Sequence, residues 1–186
     1  MGPYKNQLGT ILPTSVKTDR VGTGPAADGQ LLNLADLPSQ PWKNGGGITT
    51  EIAIGPVGAT LQDFRWRISR AQIEREGPFS VFPGVTRWIA LMEGAGCRLD
   101  LSDGSGFELV PHRAFVFSGD LTAICRLNQN RPCTVINVMA KHDMVMRVNV
   151  ARSTAPMPSL GHAVVSTTGA AVRLDAKYVL TADADQ

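Results

Sequence analysis

Residues 48–54, Ile48-Thr49-Thr50-Glu51-Ile52-Ala53-Ile54, and residues 64–69, Phe64-Arg65-Trp66-Arg67-Ile68-Ser69, decide how this chain is read. Both alternate in character with the two-residue period of a β-strand. In the first, Ile48, Thr50, Ile52 and Ile54 share one face, and Thr49, Glu51 and Ala53 the other. In the second, Phe64, Trp66 and Ile68 oppose Arg65, Arg67 and Ser69. The link from Gly55 to Asp63 permits antiparallel pairing, which brings Glu51 near Arg65 or Arg67.

The same pattern continues outward. Short apolar runs at Trp88–Met92, Cys97–Leu101, Ala114–Phe117, Thr122–Leu127 and Thr134–Met139 are punctuated by Gly, Pro, Asp and Asn. Further runs are Met146–Val150, Ala163–Ser166, Val172–Leu174 and Tyr178–Leu180. Helical periodicity is nowhere sustained, and Ser69–Glu76 supplies one short helix at most. Many short strands with frequent turns predict an all-β sandwich or closed barrel, a jelly-roll by preference, because closure removes exposed edges. Residues 1–30, rich in Gly, Pro, Thr and Asp, read as a flexible leader. Residues 31–154 read as the main barrel. Pro156, Pro158 and Gly161 then mark a connector to a smaller set of strands within 155–186.

The chain of 186 residues is long enough for one sizeable core or two small fused barrels. A formal charge of +2, without any run of Lys and Arg, argues against nucleic acid or an acidic membrane as partner. No signal-peptide stretch or membrane-length apolar segment is seen, which places the protein in the cytoplasm. Cys97, Cys125 and Cys133 are odd in number and lack metal-ligand spacing. They read as free thiols, with Cys97 and Cys125 serving as small core hydrophobes. A homodimer is compatible with all of this.

The least ordinary segment is Pro41-Trp42-Lys43-Asn44-Gly45-Gly46-Gly47, an aromatic, a cation and an amide ahead of three glycines that permit close backbone approach. The polar face bearing Glu51, Arg65, Arg67 and Ser69 has two readings. It faces water, as half of an antiparallel sheet commonly does, or it lines a barrel that holds one ligand. Arg87, with Arg67, suits a carboxylate, since a planar guanidinium offers paired donors. The alternative for Arg87 is a salt bridge to Glu93 or Asp100.

His112, His142 and His162 are widely separated and include no HxH pair, so no transition-metal site and no other cofactor is expected. Asp103-Gly104-Ser105-Gly106 is a turn and lacks the nucleophile-elbow pattern, and no catalytic triad suggests itself. The triple glycine is not followed by the Lys-Ser/Thr of a phosphate loop.

Several pieces together resemble the HutD/Ves family of cupin-like proteins. They are Pro41–Gly47 with Thr49 or Thr50 and Glu51, Phe64–Ser69, Gly77–Gly84, Arg87, Phe117–Asp120 and Asn137–Met139. The match runs from about Leu31 to Ala140. It implies a bicupin-like fold without the usual cupin metal ligands. It also implies an association with bacterial histidine utilisation, in which an intermediate is sensed or buffered. Carried over residue by residue, the expected pocket is Trp42, Lys43, Asn44, Glu51, Arg67, Ser69 and Arg87, closed by Asp120, Asn137 and Met139. The chain departs from the pattern in the residues before Leu31 and in a C-terminus, Thr181–Gln186, shorter than expected, which predicts an incomplete second barrel.

The functional expectation is a protein that binds a small anionic metabolite, such as urocanate, formimino-glutamate or formyl-glutamate. A metal-free isomerase or hydrolase with Glu51 or Asp120 as general base is the alternative. A protein–protein regulator is a third reading.

Overall fold

The computed structural model describes residues 30–33, 36–56, 58–111, 113–144, 146–152, 162–165, 170–174 and 178–184. In chain order the strands are β1 (Gln30–Asn33), β2 (Ser39–Pro41), β3 (Gly47–Gly55), β4 (Trp66–Ile73) and β5 (Gly77–Pro78). Next come β6 (Val85–Gly94), β7 (Cys97–Leu101), β8 (Gly106–Glu108), β9 (Ala114–Ser118) and β10 (Ala123–Leu127). The last are β11 (Cys133–Lys141), β12 (Met146–Arg152), β13 (His162–Val165), β14 (Ala170–Leu174) and β15 (Tyr178–Ala184).

A six-stranded sheet of order β2-β3-β4-β11-β6-β9 packs on a four-stranded sheet of order β5-β10-β7-β8. Their inner faces interdigitate, with Ile73, Ile89, Leu91 and Val135 from one sheet and Leu99, Leu101, Cys125 and Leu127 from the other. Each fully buried Leu, Ile or Phe contributes on the order of 1.5–3 kcal/mol. The fold is an all-β, cupin-like jelly-roll, as expected.

Register decides what the inner face carries, because directly opposed residues point the same way. Across β3, β4, β11 and β6 one row reads Thr49, Ala71, Val135 and Leu91, all but the first apolar. The next row reads Glu51, Ser69, Asn137 and Ile89, and continues to Phe115 on β9. The one after reads Ile54, Arg67, Met139, Arg87 and Phe117. The inner surface therefore grades from an apolar core at one end to a charged cluster at the other.

Three expectations change. The residues read as a short helix, Ser69–Glu76, instead carry β4 through to Ile73. Arg70, Ala71, Gln72 and Glu74 favour a helix locally, but hydrogen bonding to β3 on one side and β11 on the other overrides that preference. The alternation of β3 breaks at a bulge between Glu51 and Ala53, with Ile52 as the extra residue, so Ile54 joins the inner face. Phe64 precedes β4 and packs with Val85 and Met139, off the face of Ile68. The sheet centre is buried on both sides: Ile68, Ile136 and Val138 on the outer face are as inaccessible as the inner residues.

The remaining strands form two small sheets, β1-β13 and β12-β15-β14. β1 pairs with β13, and β12 with β15. The proposed leader lies outside the described residues except for Gln30, and so does the connector 155–161.

Candidate functional site: a charged, aromatic-walled cavity

At the charged end of the inner face lies a cavity of about 750 Å³. Of the ten residues expected there, eight line it: Trp42, Lys43, Asn44, Arg67, Ser69, Arg87, Asn137 and Met139. Glu51 lines a smaller adjoining recess of about 210 Å³ that shares Arg67, Thr49, Gln40 and Leu61 with the large one. Asp120 lies elsewhere. It is exposed at the β9–β10 turn, where its carboxylate accepts from the Gly84 amide at 3.0 Å and the Ser118 hydroxyl at 2.7 Å.

The turn before β3 builds one wall. Trp42 N–H donates to the Gly47 carbonyl and Gly45 N–H to the Trp42 carbonyl, closing a tight loop in which Gly45 takes a positive φ of 67°. At Gly47 the backbone runs against β4, and a Cβ there would collide with the Gln72 carbonyl. Asn44 is spent on this geometry, accepting from Gly46 N–H and donating to the Pro78 carbonyl. The Trp42 indole is pinned by donation to Thr49 Oγ1 at 2.7 Å and stands edge-on to Phe79, 5.6 Å between centroids.

The two inward arginines differ in how they are satisfied. Arg67 Nε donates to Glu51 Oε2 at 2.9 Å, and its Nη1 lies 3.4 Å from Ser69 Oγ. Arg65, the other partner considered for Glu51, instead reaches Asp143 at 3.1 Å on the surface. Among the described residues no carboxylate meets Arg87, which is 4% exposed. The alternative of a bridge to Glu93 or Asp100 is not realised, since Asp100 serves Arg98 and Arg126 and Glu93 is exposed. Arg87 donates to the Ser80 carbonyl at 3.1 Å and Asn137 Oδ1 at 3.3 Å, and its Nε is buried without a partner. Its guanidinium sits 5.0 to 5.5 Å from the ring centroids of Phe117, Phe79 and Phe82. Burial, and secondarily the repulsion of Arg67, bring its pKa down to about 10.

The aromatic surround of Arg87 was not predicted from sequence. Phe79 and Phe82 lie within Gly77–Gly84, and Phe117 reaches Arg87 through the β6–β9 register. Among the described residues no cluster of His, Cys, Asp and Glu is arranged to hold a metal ion. His112 lies outside the described residues, while His142 is exposed beside Asp120. The three cysteines are buried and unbridged, as read from the sequence.

A jelly-roll barrel whose open end carries two arginines, one carboxylate and an aromatic wall defines the class. Within it, the HutD family model matches residues 34–184, and the chain belongs to the HutD/Ves family, which is associated with histidine utilisation. Over 98 residues it is 45% identical to an uncharacterized 21.2 kDa protein in the hutC 3′ region of Pseudomonas putida, covering 53% of this chain and 51% of that one. The protein Ves of Citrobacter koseri is 34% identical over 114 residues, 61% of this chain and 59% of that one. The chain thus spans little more than half the length of these curated relatives. Among solved structures, the conserved protein of unknown function PA5104 from Pseudomonas aeruginosa PAO1 superposes with a TM-score of 0.65 at 32% identity, covering 84% of this chain and 87% of that one. HutD from Pseudomonas fluorescens SBW25 gives a TM-score of 0.67 at 26% identity, covering 84% and 99%. Among the described residues no helix is long and apolar enough to cross a membrane.

Proposed function

We propose that the protein binds a small carboxylate-bearing metabolite of histidine utilisation in this cavity, and senses or buffers it without a metal. The observation that carries the reading is Arg87. A buried cation with no carboxylate partner is costly unless something compensates it. Lys43, Arg67 and Arg87 line the cavity while Glu51 of the adjoining recess pairs with Arg67, so the charges of Lys43 and Arg87 are left for an anionic guest. A carboxylate in the cavity is held by the positive charge of Arg87 and Lys43, and the body of the ligand lies against Trp42 and Phe79. Urocanate, formimino-glutamate and formyl-glutamate are the candidates from the family's pathway. The Pseudomonas fluorescens HutD was solved in a formate condition, which makes formate a natural minimal probe.

Binding is preferred to catalysis because Glu51 is engaged with Arg67 and Asp120 sits at a turn away from the cavity. Isothermal titration with the three acids and with formate tests the reading. Heat with at least one of them, lost in Arg87→Met, is expected. Silence with all four on folded protein refutes it.

A further inference from the structure

Asn44-Gly45, in the turn before β3, is the one Asn-Gly pair in the chain. An asparagine followed by glycine is open to attack on its own side-chain amide by the next backbone nitrogen, because glycine has no Cβ to obstruct the approach. Both residues are exposed, and no atom lies within 4 Å of the place a Cβ would take on Gly45.

The turn engages both groups that this reaction needs. The nucleophile, Gly45 N–H, donates to the Trp42 carbonyl at 2.9 Å. The side chain it would attack is held at both ends: Asn44 Oδ1 accepts from Gly46 N–H at 3.0 Å, and Nδ2 donates to the Pro78 carbonyl at 3.4 Å. An amide whose proton is committed to a hydrogen bond is slow to give it up, and a tethered side chain cannot swing onto it. Reaction therefore runs through the opened turn, at a rate set by how often these bonds break.

We propose that Asn44 is a deamidation site guarded by this turn, and that its conversion to a carboxylate weakens the cavity for anions. Hydroxide takes the Gly45 amide proton, the nitrogen bonds to Asn44 Cγ, and the side-chain nitrogen leaves as ammonia, giving a cyclic imide. Water opens the ring at either carbonyl, leaving aspartate or isoaspartate, with no net oxidation or reduction. Either product puts a negative charge on a wall of the cavity whose uncompensated charges are Lys43 and Arg87. Isoaspartate also adds a methylene to the backbone ahead of Gly47, where the chain already runs against the Gln72 carbonyl. The modification site stands on the turn alone, while its effect on anions rests on the binding reading above.

The full chain, native and in guanidinium, is held in mildly alkaline buffer and followed by peptide mass spectrometry with an isoaspartate assay. Conversion at Asn44 is expected in both, slower in the native chain by at least about 10-fold. Formate is then titrated into folded Asn44→Asp and into the deamidated native fraction isolated by ion exchange, which needs no substitution. Affinity is expected to fall about 10-fold in each, with the difference shrinking in high salt. Equal rates in native and denatured chain overturn the guard, and no product at Asn44 in denatured chain removes the site. Unchanged formate affinity in the folded, deamidated protein overturns the consequence for binding. If formate fails on the unmodified chain, the anion reading and that consequence fall together, and the mass measurement still decides the site.

Discussion

Glu51 and Arg67 form a 2.9 Å ion pair on the diagonal of the β3–β4 ladder, beside the β-bulge at Ile52. The extra residue, Ile52, brings Ile54 opposite Arg67 while Glu51 stays opposite Ser69, so carboxylate and guanidinium meet diagonally on the inner face. Arg87, two strands from Arg67, has no such counterpart.

Replacing Arg87 separates affinity from stability. Its folded pKa of about 10 lies below the ordinary arginine value, so the folded state disfavours the charged form. The resulting cost, on the order of 3 kcal/mol, is present below about pH 10 and fades as pH rises above it. Arg87→Met removes it but strands the Ser80 carbonyl and Asn137 amide, which returns about 1–3 kcal/mol. We expect a urea midpoint equal to or slightly above that of the parent, with carboxylate affinity reduced at least 100-fold.

Trp42 reports occupancy. It lines the cavity, whereas Trp66 and Trp88 lie off the lining. A change in tryptophan emission on adding ligand is expected to vanish in Trp42→Phe, which also loses the donor to Thr49 at a cost of about 1 kcal/mol. Persistence of the full change in that variant counts against a guest beside Trp42.

Two glycines contrast steric and conformational cost. Gly47→Ala places a Cβ against the Gln72 carbonyl within the β3–β4 ladder, and a loss of about 3 kcal/mol in urea unfolding is expected. Gly104→Ala meets open space and only the penalty of a positive φ of 84°, about 1 kcal/mol.

The thiols are expected to be silent in the native chain. Cys97 is pushed up by hydrogen bonding to Cys125, then to Cys133, and by burial, while the bond to Cys97 lowers Cys133. All three are buried, so inaccessibility governs. Dithionitrobenzoate at pH 8 should label none of them in folded protein and all three in denaturant.

Asp120 acts on acid stability and leaves the ligand untouched. The Gly84 amide, followed by the Ser118 hydroxyl, holds its carboxyl below the usual value of 3.8. The stability it lends is present above that value and is lost as pH falls through the folded pKa. Asp120→Asn should flatten the acid limb of the stability profile and leave carboxylate affinity within twofold.

The sequence carried the fold through alternation, while the cavity lining followed from alternation at Arg67 and Ser69 and from the family resemblance at Trp42, Lys43, Asn44, Asn137 and Met139. Thr49, Glu51, Arg67 and Ser69 were legible as one polar face, and the Glu51–Arg67 pair as its consequence. Local pattern misled where tertiary pairing outweighs it: residues 70–73 look helical until β3 and β11 claim their backbone. The motif assigns Asp120 to the pocket, but its carboxylate is taken by the Gly84 amide and the Ser118 hydroxyl. The ring of phenylalanines was out of reach, since Arg87 and Phe117 meet only once the register of β6 and β9 is known.

The row Arg67, Met139, Arg87 lies on three consecutive hydrogen-bonded strands, β4, β11 and β6. The backbones of the two cationic anchors are therefore held two ladder rungs apart, about 10 Å, by the least deformable part of the molecule. The sheet works as a ruler: the loops bearing Leu61 and Val81 form part of the cavity wall, while the separation of the two arginines is set by the pleat itself.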